Sequence, residues 1–274
     1  EFRRVLFRSD LDGTFWDEDL TVPEPHRQAV AALRDRGVEV MVATSRRHRV
    51  VAEHLGRAGL DVAAVVLDGA MGVHLGTGIR FHDARFAAPA AHRVLEAFRR
   101  HGMEPCAYVD EADIDVVLPP EPASCPAHVE YLRPIARTGN LDEVVSAGGV
   151  YGFSVLGLDR ADLSPVASTI ARTGAETTLF PEDRFDGWGL VIAPPAVTKW
   201  NGVAAYAASI GVRPDQVLAV GDGDNDVDML RRAGTAVAVR GGTEGVLDAA
   251  DHLIDPPSRH GWAAIVELAT SGHA

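Results

Sequence analysis

The sequence predicts an α/β protein: a doubly wound parallel sheet built from both ends of the chain, with an α+β domain inserted in its middle. Three observations carry this. Short apolar runs alternate with helical patterns near both termini, the rhythm of βαβ units. Several of these runs end in polar or acidic turns, and open parallel sheets place their ligands at such strand ends. Between about Phe81 and Leu190 the texture changes to a mixture of short strands and helices. A chain of 274 residues is long for one compact unit and comfortable for two. The expected division is residues 1–83 with 190–274 as the core and 84–189 as the insertion.

The elements follow in order. Val5-Leu6-Phe7 reads as the first strand, and Asp10-Leu11-Asp12-Gly13-Thr14 as the turn that ends it. Pro23 to Arg36 reads as a helix, with Ala29, Val30 and Leu33 at helical spacing and Gly37 as its stop. Val38 to Ala43 is a buried strand ending in Thr44-Ser45-Arg46. A helix through Leu55 closes near Gly59, and Val62 to Leu67 is a third buried strand ending in Asp68-Gly69-Ala70. The middle shows helical stretches at Ala90–Arg100 and Pro165–Thr173. It also shows strands at Tyr108–Val109, Asp115–Leu118 and Val150–Leu156, and a loop at Pro119-Pro120-Glu121-Pro122. From Thr198 the βαβ rhythm returns: helix Lys199–Ile210, strand Val217–Val220, helix Val227–Arg232, strand Ala236–Val239 and a closing segment Ala263–Leu268.

Composition excludes several classes. The net charge of −13 offers no basic stripe that could neutralise nucleic-acid phosphates. No apolar run is long enough to span a bilayer, so no membrane partner is expected, and arginines interrupt the only apolar stretch of the N-terminus. Cys106 and Cys125 fit no metal spacing, and such sparse use suits a reducing cytoplasm. The 11 histidines show no ligand spacing either. Of the 26 basic residues only Lys199 is lysine, which singles it out as a place where a compact ammonium suits better than a planar guanidinium.

Chemistry concentrates in two acidic turns. Asp10 and Asp12, at i and i+2 on an extended segment, project to the same side, and Gly13 lets the backbone turn away. Spacing alone leaves this open between a polar turn and a catalytic pair. Asp222, Asp224 and Asp226 crowd three carboxylates into one loop at another strand end, where they repel unless a cation or fixed positive groups neutralise them. An EF-hand would need glycine and glutamate where Val227 and Ala233 stand. A dinucleotide loop would need a third glycine where Asp226 stands. Gly152-Phe153-Ser154-Val155-Leu156-Gly157 misses a nucleophile elbow by one position.

Asp-Leu-Asp-Gly-Thr, Ala-Thr-Ser-Arg, Thr-Lys and Gly-Asp-Gly-Asp-Asn-Asp resemble, in type and order, the four motifs of the haloacid dehalogenase-like phosphatases. The insertion between the second and third motifs is similar to the Cof-like branch with a type IIB cap, and Asp68-Gly69-Ala70 stands where that branch has Asn-Gly-Ala. The resemblance implies a Rossmann-like core, a cap that closes over the site, and magnesium-dependent hydrolysis of a small phosphomonoester such as a sugar phosphate. It makes Asp10 the nucleophile that carries an aspartyl-phosphate, and Asp12 the acid and base. Thr44 and Lys199 would bind phosphate, with Ser45, Arg46 and Asn225 as further substrate contacts. Mg2+ would be held by Asp10, the Asp12 carbonyl and Asp222, while Asp226 orients Lys199 or a water near the ion. Asp224 has no motif role and reads as solvated. Tyr108, Asp110, Asp186 and Trp188 are candidate cap residues. A phosphotransferase or phosphomutase on the same core, or a non-catalytic phosphosugar-binding protein, are the alternatives.

Three features depart from that pattern. Gly241-Gly242-Thr243 replaces the usual Asn-Ala, and Asp68 adds a negative charge near the substrate entrance. Arg8 lies in a strand that should be buried, where an unpaired guanidinium is costly. Leu6-Phe7-Arg8-Ser9 is also what the end of a common sequencing adapter would encode, so residues 1–9 are expected to be an assembly or cloning scar in place of the native strand.

Overall fold

A computed structural model describes residues 6–182 and 184–271, which form two units, residues 6–83 with 198–271 and, between them, the described residues of 84–197. The first unit opens with β1 (Leu6–Ser9), α1 (Glu24–Asp35), β2 (Glu39–Ala43), α2 (His48–Arg57) and β3 (Ala63–Val66). β4 (Met71–His74) and β5 (Arg80–Asp83) follow as an antiparallel extension that sequence periodicity did not reveal. The second unit holds α3 (Ala88–Arg99), β6 (Cys106–Tyr108), β7 (Val116–Leu118), α4 (Pro126–Leu132), β8 (Ala136–Thr138) and α5 (Leu141–Ala147). It continues through β9 (Gly152–Leu158), α6 (Arg160–Ala171), β10 (Glu176–Pro181) and β11 (Trp188–Ala193). The chain then returns to the first unit with α7 (Lys199–Ser209), β12 (Val217–Gly221), α8 (Val227–Arg232), β13 (Thr235–Val239), α9 (Glu244–Ala249), β14 (His252–Ile254) and α10 (Ile265–Ser271).

In the first unit eight strands lie in the order β14-β13-β12-β1-β2-β3-β4-β5, parallel from β14 through β3. The chain leaves β1 toward β2 on one side and later fills β12 on the other. β1 and β12 therefore flank the point where strand order reverses, which is where such sheets open a crevice at their carboxyl ends. One face of the sheet, carrying Met41, Ala43, Ala219, Ala236 and Ala238, is covered by Trp200, Val203 and Tyr206 of α7 and by Met229 and Leu230 of α8. Val40 and Val42 alternate to the other face. α1 packs against β2 and α10, burying the Val30 and Leu33 that set its helical period.

The second unit is a six-stranded sheet in the order β10-β11-β9-β6-β7-β8, antiparallel except for β7 and β8. α3, α5 and α6 cover one face, with Phe98, Val144 and Leu163 packed on Ala107, Phe153, Val155 and Ile192. β11 pairs with both β9 and β10, so a boundary at residues 189/190 would cut through its start. The units part at Thr198 instead, on the threshold of α7.

Candidate active site

β1 delivers the first acidic turn. The Asp10 N–H still donates to the Val220 carbonyl of β12 (3.0 Å), so the carboxylate leaves the sheet at the end of the last paired position. Beyond it, the N–H groups of Thr14, Phe15 and Trp16 all point at the Leu11 carbonyl, winding residues 11–16 into a compact loop. Gly13 sits there at φ +67°, and a Cβ would lie 2.3 Å from Asp222 Oδ2, so only glycine lets the two acidic turns approach. Below the loop, Trp262 Nε1 donates to Ser9 Oγ (2.8 Å), and Ser9 Oγ donates to the Asp10 carbonyl (2.6 Å).

Three elements converge on Asp10. Lys199, the first residue of α7, is buried, and its Nζ lies 2.7 Å from Asp10 Oδ1 and 2.9 Å from Asp226 Oδ1. The helix start is held by the Thr198 N–H donating to Asn201 Oδ1 (2.7 Å) and by Thr198 Oγ1 donating to Asp228 Oδ2 (2.8 Å). Gly69, at φ +106°, lets the preceding turn press against the Thr198 carbonyl, where a Cβ would come within 2.0 Å. Asp226 is fully buried and committed on both oxygens. Oδ1 receives Lys199 and Arg8, and Oδ2 receives the N–H groups of Asp222 (3.2 Å) and Gly223 (3.3 Å). This side chain therefore organises its neighbours. Asp222 Oδ1 accepts from Thr14 Oγ1 at 3.0 Å.

Arg8 corrects the expectation of an unpaired charge. It is buried, but Nη2 donates to the Ala43 carbonyl (2.6 Å), and both Nη1 and Nη2 lie 3.4 Å from Asp226 Oδ1. Its Nε finds no acceptor among the described residues. Residues 1–5, the larger part of the suspected scar, lie outside the described residues.

Burial raises the Asp10 carboxyl well above its usual range against the pull of Lys199, and Asp226 and Asp222 add to the rise. Burial, with Asp226 beside it, pushes Asp222 up to about 6. Burial also opposes ionisation of Asp226, yet Lys199 and Arg8 outweigh it and hold that carboxyl below the ordinary value. Lys199 itself is raised: burial works against its charge, but Asp10 and Asp226 more than compensate. Candidate ligand oxygens of Asp10, Asp222 and Asp226 lie within 4.8 Å of one another, a cluster that could hold a metal ion. The donor set is all oxygen, as hard divalent cations require.

Asp12 faces a different setting. Its side chain is 47% exposed and is clasped by Arg46, with Nε at 2.8 Å from Oδ2 and Nη2 at 2.8 Å from Oδ1. Trp16 Nε1 donates to the same Oδ1 at 3.0 Å, and the Arg46 guanidinium lies over the Trp16 ring, 5.5 Å from its centroid. The sequence reading missed Trp16; its place four positions after Asp12 in the same turn was the only signal.

The remaining expected contacts are engaged within the protein. Thr44 is buried after β2, its N–H donating to the Val65 carbonyl and its Oγ1 accepting from the Arg46 N–H at 3.2 Å. Ser45 Oγ donates to Asp68 Oδ1 (2.7 Å), and Asn225 Nδ2 reaches both Ser45 Oγ (2.9 Å) and Asp68 Oδ1 (3.1 Å). Asp68 holds φ +53°, a left-handed conformation that aspartate tolerates better than most residues. Asp224 is exposed. The Thr243 N–H donates to the Asp222 carbonyl (2.9 Å), so the departing Gly241–Thr243 loop supports the acidic turn. In the second unit Tyr108 ends β6 and Asp110 follows it. Asp186 turns the β10–β11 hairpin at φ +54°, and Trp188 lies under the Arg160 guanidinium, 4.6 Å from its centroid.

The family description "haloacid dehalogenase-like hydrolase" matches residues 7–266. The chain belongs to this family. As a haloacid dehalogenase-like hydrolase it is 24% identical over 267 residues to the pyridoxal phosphate phosphatase YbhA of Escherichia coli, covering 89% of this chain and 91% of that one. It is 26% identical over 255 residues to the chloroplastic endoribonuclease YBEY of Arabidopsis thaliana, covering 88% of this chain but 42% of that protein. A phosphoglycolate phosphatase of Methanopyrus kandleri is 35% identical over 80 residues, 29% of this chain and 34% of its own length. The chain thus spans less than half the length of the plant and archaeal relatives it matches. Among solved structures, a phosphatase of the same superfamily from Bacteroides thetaiotaomicron superposes with a TM-score of 0.80 at 19% identity, covering 98% and 96% of the two chains. A subclass IIB sugar phosphatase gives 0.75 at 20% identity, covering 96% and 98%. At such identities the likeness is one of fold, and it extends across both units. Among the described residues no helix is long and apolar enough to cross a membrane.

Proposed function

We propose that this haloacid dehalogenase-like hydrolase is a magnesium-dependent phosphatase of small phosphomonoesters that works through an aspartyl-phosphate on Asp10. The observation that carries the reading is the placement of Asp10. A buried carboxylate at the end of the central strand lies 2.7 Å from the chain's one ammonium and close to the Asp222 carboxylate. In the first step an Asp10 oxygen attacks phosphorus, the bond to the leaving oxygen breaks, and Asp12 gives that oxygen a proton. In the second, water attacks the aspartyl-phosphate, Asp12 takes the water's proton, and Asp10 is released as a carboxylate. Lys199 bridges Asp10 and Asp226, so its ammonium is pinned where negative charge gathers on the phosphoryl oxygens. Thr44 would offer its hydroxyl to the phosphate. Asp10, the Asp12 carbonyl and Asp222 would hold Mg2+. When bound, the ion neutralises the carboxylates and lets an anionic nucleophile meet an anionic ester.

A small metabolite, a sugar phosphate or a comparable ester, fits the relatives: one is named for pyridoxal phosphate and a solved neighbour of the same fold for sugar phosphates. The test is phosphate release from a panel of phosphomonoesters with and without magnesium, with Asp10→Asn as control. Release without any added acceptor, lost on chelation and falling about 10^4-fold in the variant, is expected. Activity that survives the substitution, or that appears only when an acceptor sugar is supplied, would overturn the reading.

A further inference from the structure

We infer that Trp16 is a positioning residue for Asp12: together with Arg46 it pins one carboxylate oxygen so that the other carries the proton to the leaving group. The inference rests on the phosphatase reading and deepens it. Asp12 Oδ1 receives three N–H contacts, from Arg46 Nε (3.0 Å), Arg46 Nη2 (2.8 Å) and Trp16 Nε1 (3.0 Å). Oδ2 receives one, from Arg46 Nε (2.8 Å). The single Arg46 Nε hydrogen is shared and lies nearer Oδ2, so Arg46 Nη2 and Trp16 Nε1 fill the two lone pairs of Oδ1, while Oδ2 keeps one open, and protonation and proton delivery fall to Oδ2.

The indole contributes twice. Its N–H gives the half-exposed side chain a second anchor beside Arg46. Its ring carries the guanidinium that makes the remaining bonds, at a distance within the range of cation–π attraction. Trp16 can do this because it is itself immobile. It is 1% exposed, its backbone N–H donates to the Leu11 carbonyl, and its ring meets His54 of α2 edge-on at 6.0 Å. A rigid aromatic thus holds the acid in place, and holding a proton donor within a fraction of an ångström of its target is worth orders of magnitude in rate.

The proton matters only when the leaving oxygen is a poor leaving group. Alkoxide departure needs an acid, whereas nitrophenolate departs without one. The test is therefore the ratio of kcat/KM for glycerol phosphate to that for para-nitrophenyl phosphate. Trp16→Phe keeps the ring and removes the donor, and should lower this ratio about tenfold. Asp12→Asn should lower it further, and adding Trp16→Phe to Asp12→Asn should change it no more, because the group being positioned is gone. Arg46→Lys, which keeps charge and loses the fork, should also lower the ratio and serves if Trp16→Phe does not fold. Equal losses on both esters would make Trp16 and Arg46 merely structural and overturn the inference. An unchanged ratio in these variants beside a lowered one in Asp12→Asn would do the same. If Asp12→Asn itself leaves the ratio unchanged, the assignment of Asp12 as the acid fails. A wild type that hydrolyses neither ester sinks the phosphatase reading and the inference with it.

Discussion

Asp10 and Asp12 share one loop and one motif, yet their surroundings are opposite. Asp10 is buried, faces an ammonium, and lies among carboxylates that push its proton affinity up. Asp12 is half exposed, and its carboxylate is held by the N–H donors of Arg46 and Trp16. The contrast teaches how a two-residue spacing yields two chemistries. β1 ends just before Asp10 and the loop that follows carries Asp12, and what each side chain meets there divides a nucleophile from a proton carrier. The residues that make the difference are Lys199, Asp222 and Asp226 for one and Arg46 and Trp16 for the other; all but Trp16 come from distant parts of the chain.

The comparison breaks most severely at Lys199. Lys199→Met removes the ammonium in contact with Asp10 and leaves Arg8 as the remaining cation for Asp10 and Asp226. Activity should fall about 10^3-fold. Stability should drop by about 3–5 kcal/mol, the usual cost of removing one partner from a buried ion pair. Phosphate release and urea unfolding measure the two effects, and a variant as stable as the parent would contradict the assigned network.

Gly13→Ala tests the side of the contrast that faces Asp222. The added methyl would stand at a left-handed φ and against Asp222 Oδ2, forcing the two acidic turns apart. The magnesium concentration for half-maximal activity should rise about 10- to 100-fold, while the alkyl-to-aryl ratio that reports on Asp12 stays put. A loss confined to that ratio would place the disturbance on the wrong aspartate.

The smallest effect is one of pH. Burial pushes the Asp222 carboxyl up to about 6, against about 3.9 in an unfolded chain. A raised carboxyl means that the folded state keeps its proton longer, so stability is lost as pH climbs from about 4 to about 6. Asp10 acts in the same direction. Magnesium binds the ionised carboxylates and should therefore raise the thermal midpoint more at pH 7.5 than at pH 5, by a few degrees. Equal shifts at both pH values would show that these carboxyls are not its ligands.

Much of this is legible in the sequence. The strands that end in Asp10, Thr44 and Asp222 are apolar runs closed by turn residues, and α8 spans the Val227–Arg232 that its pattern predicts. β4 and β5 escaped because each has four residues and they pair only with β3 and with each other; the Gly76-Thr77-Gly78 turn between them was the available sign. β11 was placed across a boundary because an apolar run does not say which sheet it joins. At the site, the partners of Arg8 could not be read locally, since Asp226 lies 218 positions away. Ser45 and Asn225 have the residue types of substrate contacts, but only folding brings both onto Asp68.

The central claim is that Asp10 becomes phosphorylated while Asp12 only moves protons. Borohydride converts an acyl phosphate at an aspartate to homoserine, which peptide mass spectrometry locates. Quenching the protein during turnover of para-nitrophenyl phosphate with magnesium should place homoserine at position 10. More of it should accumulate in Asp12→Asn, where water attack is slowed. Homoserine at position 12, 222 or 226, or none under conditions of active turnover, would contradict the account.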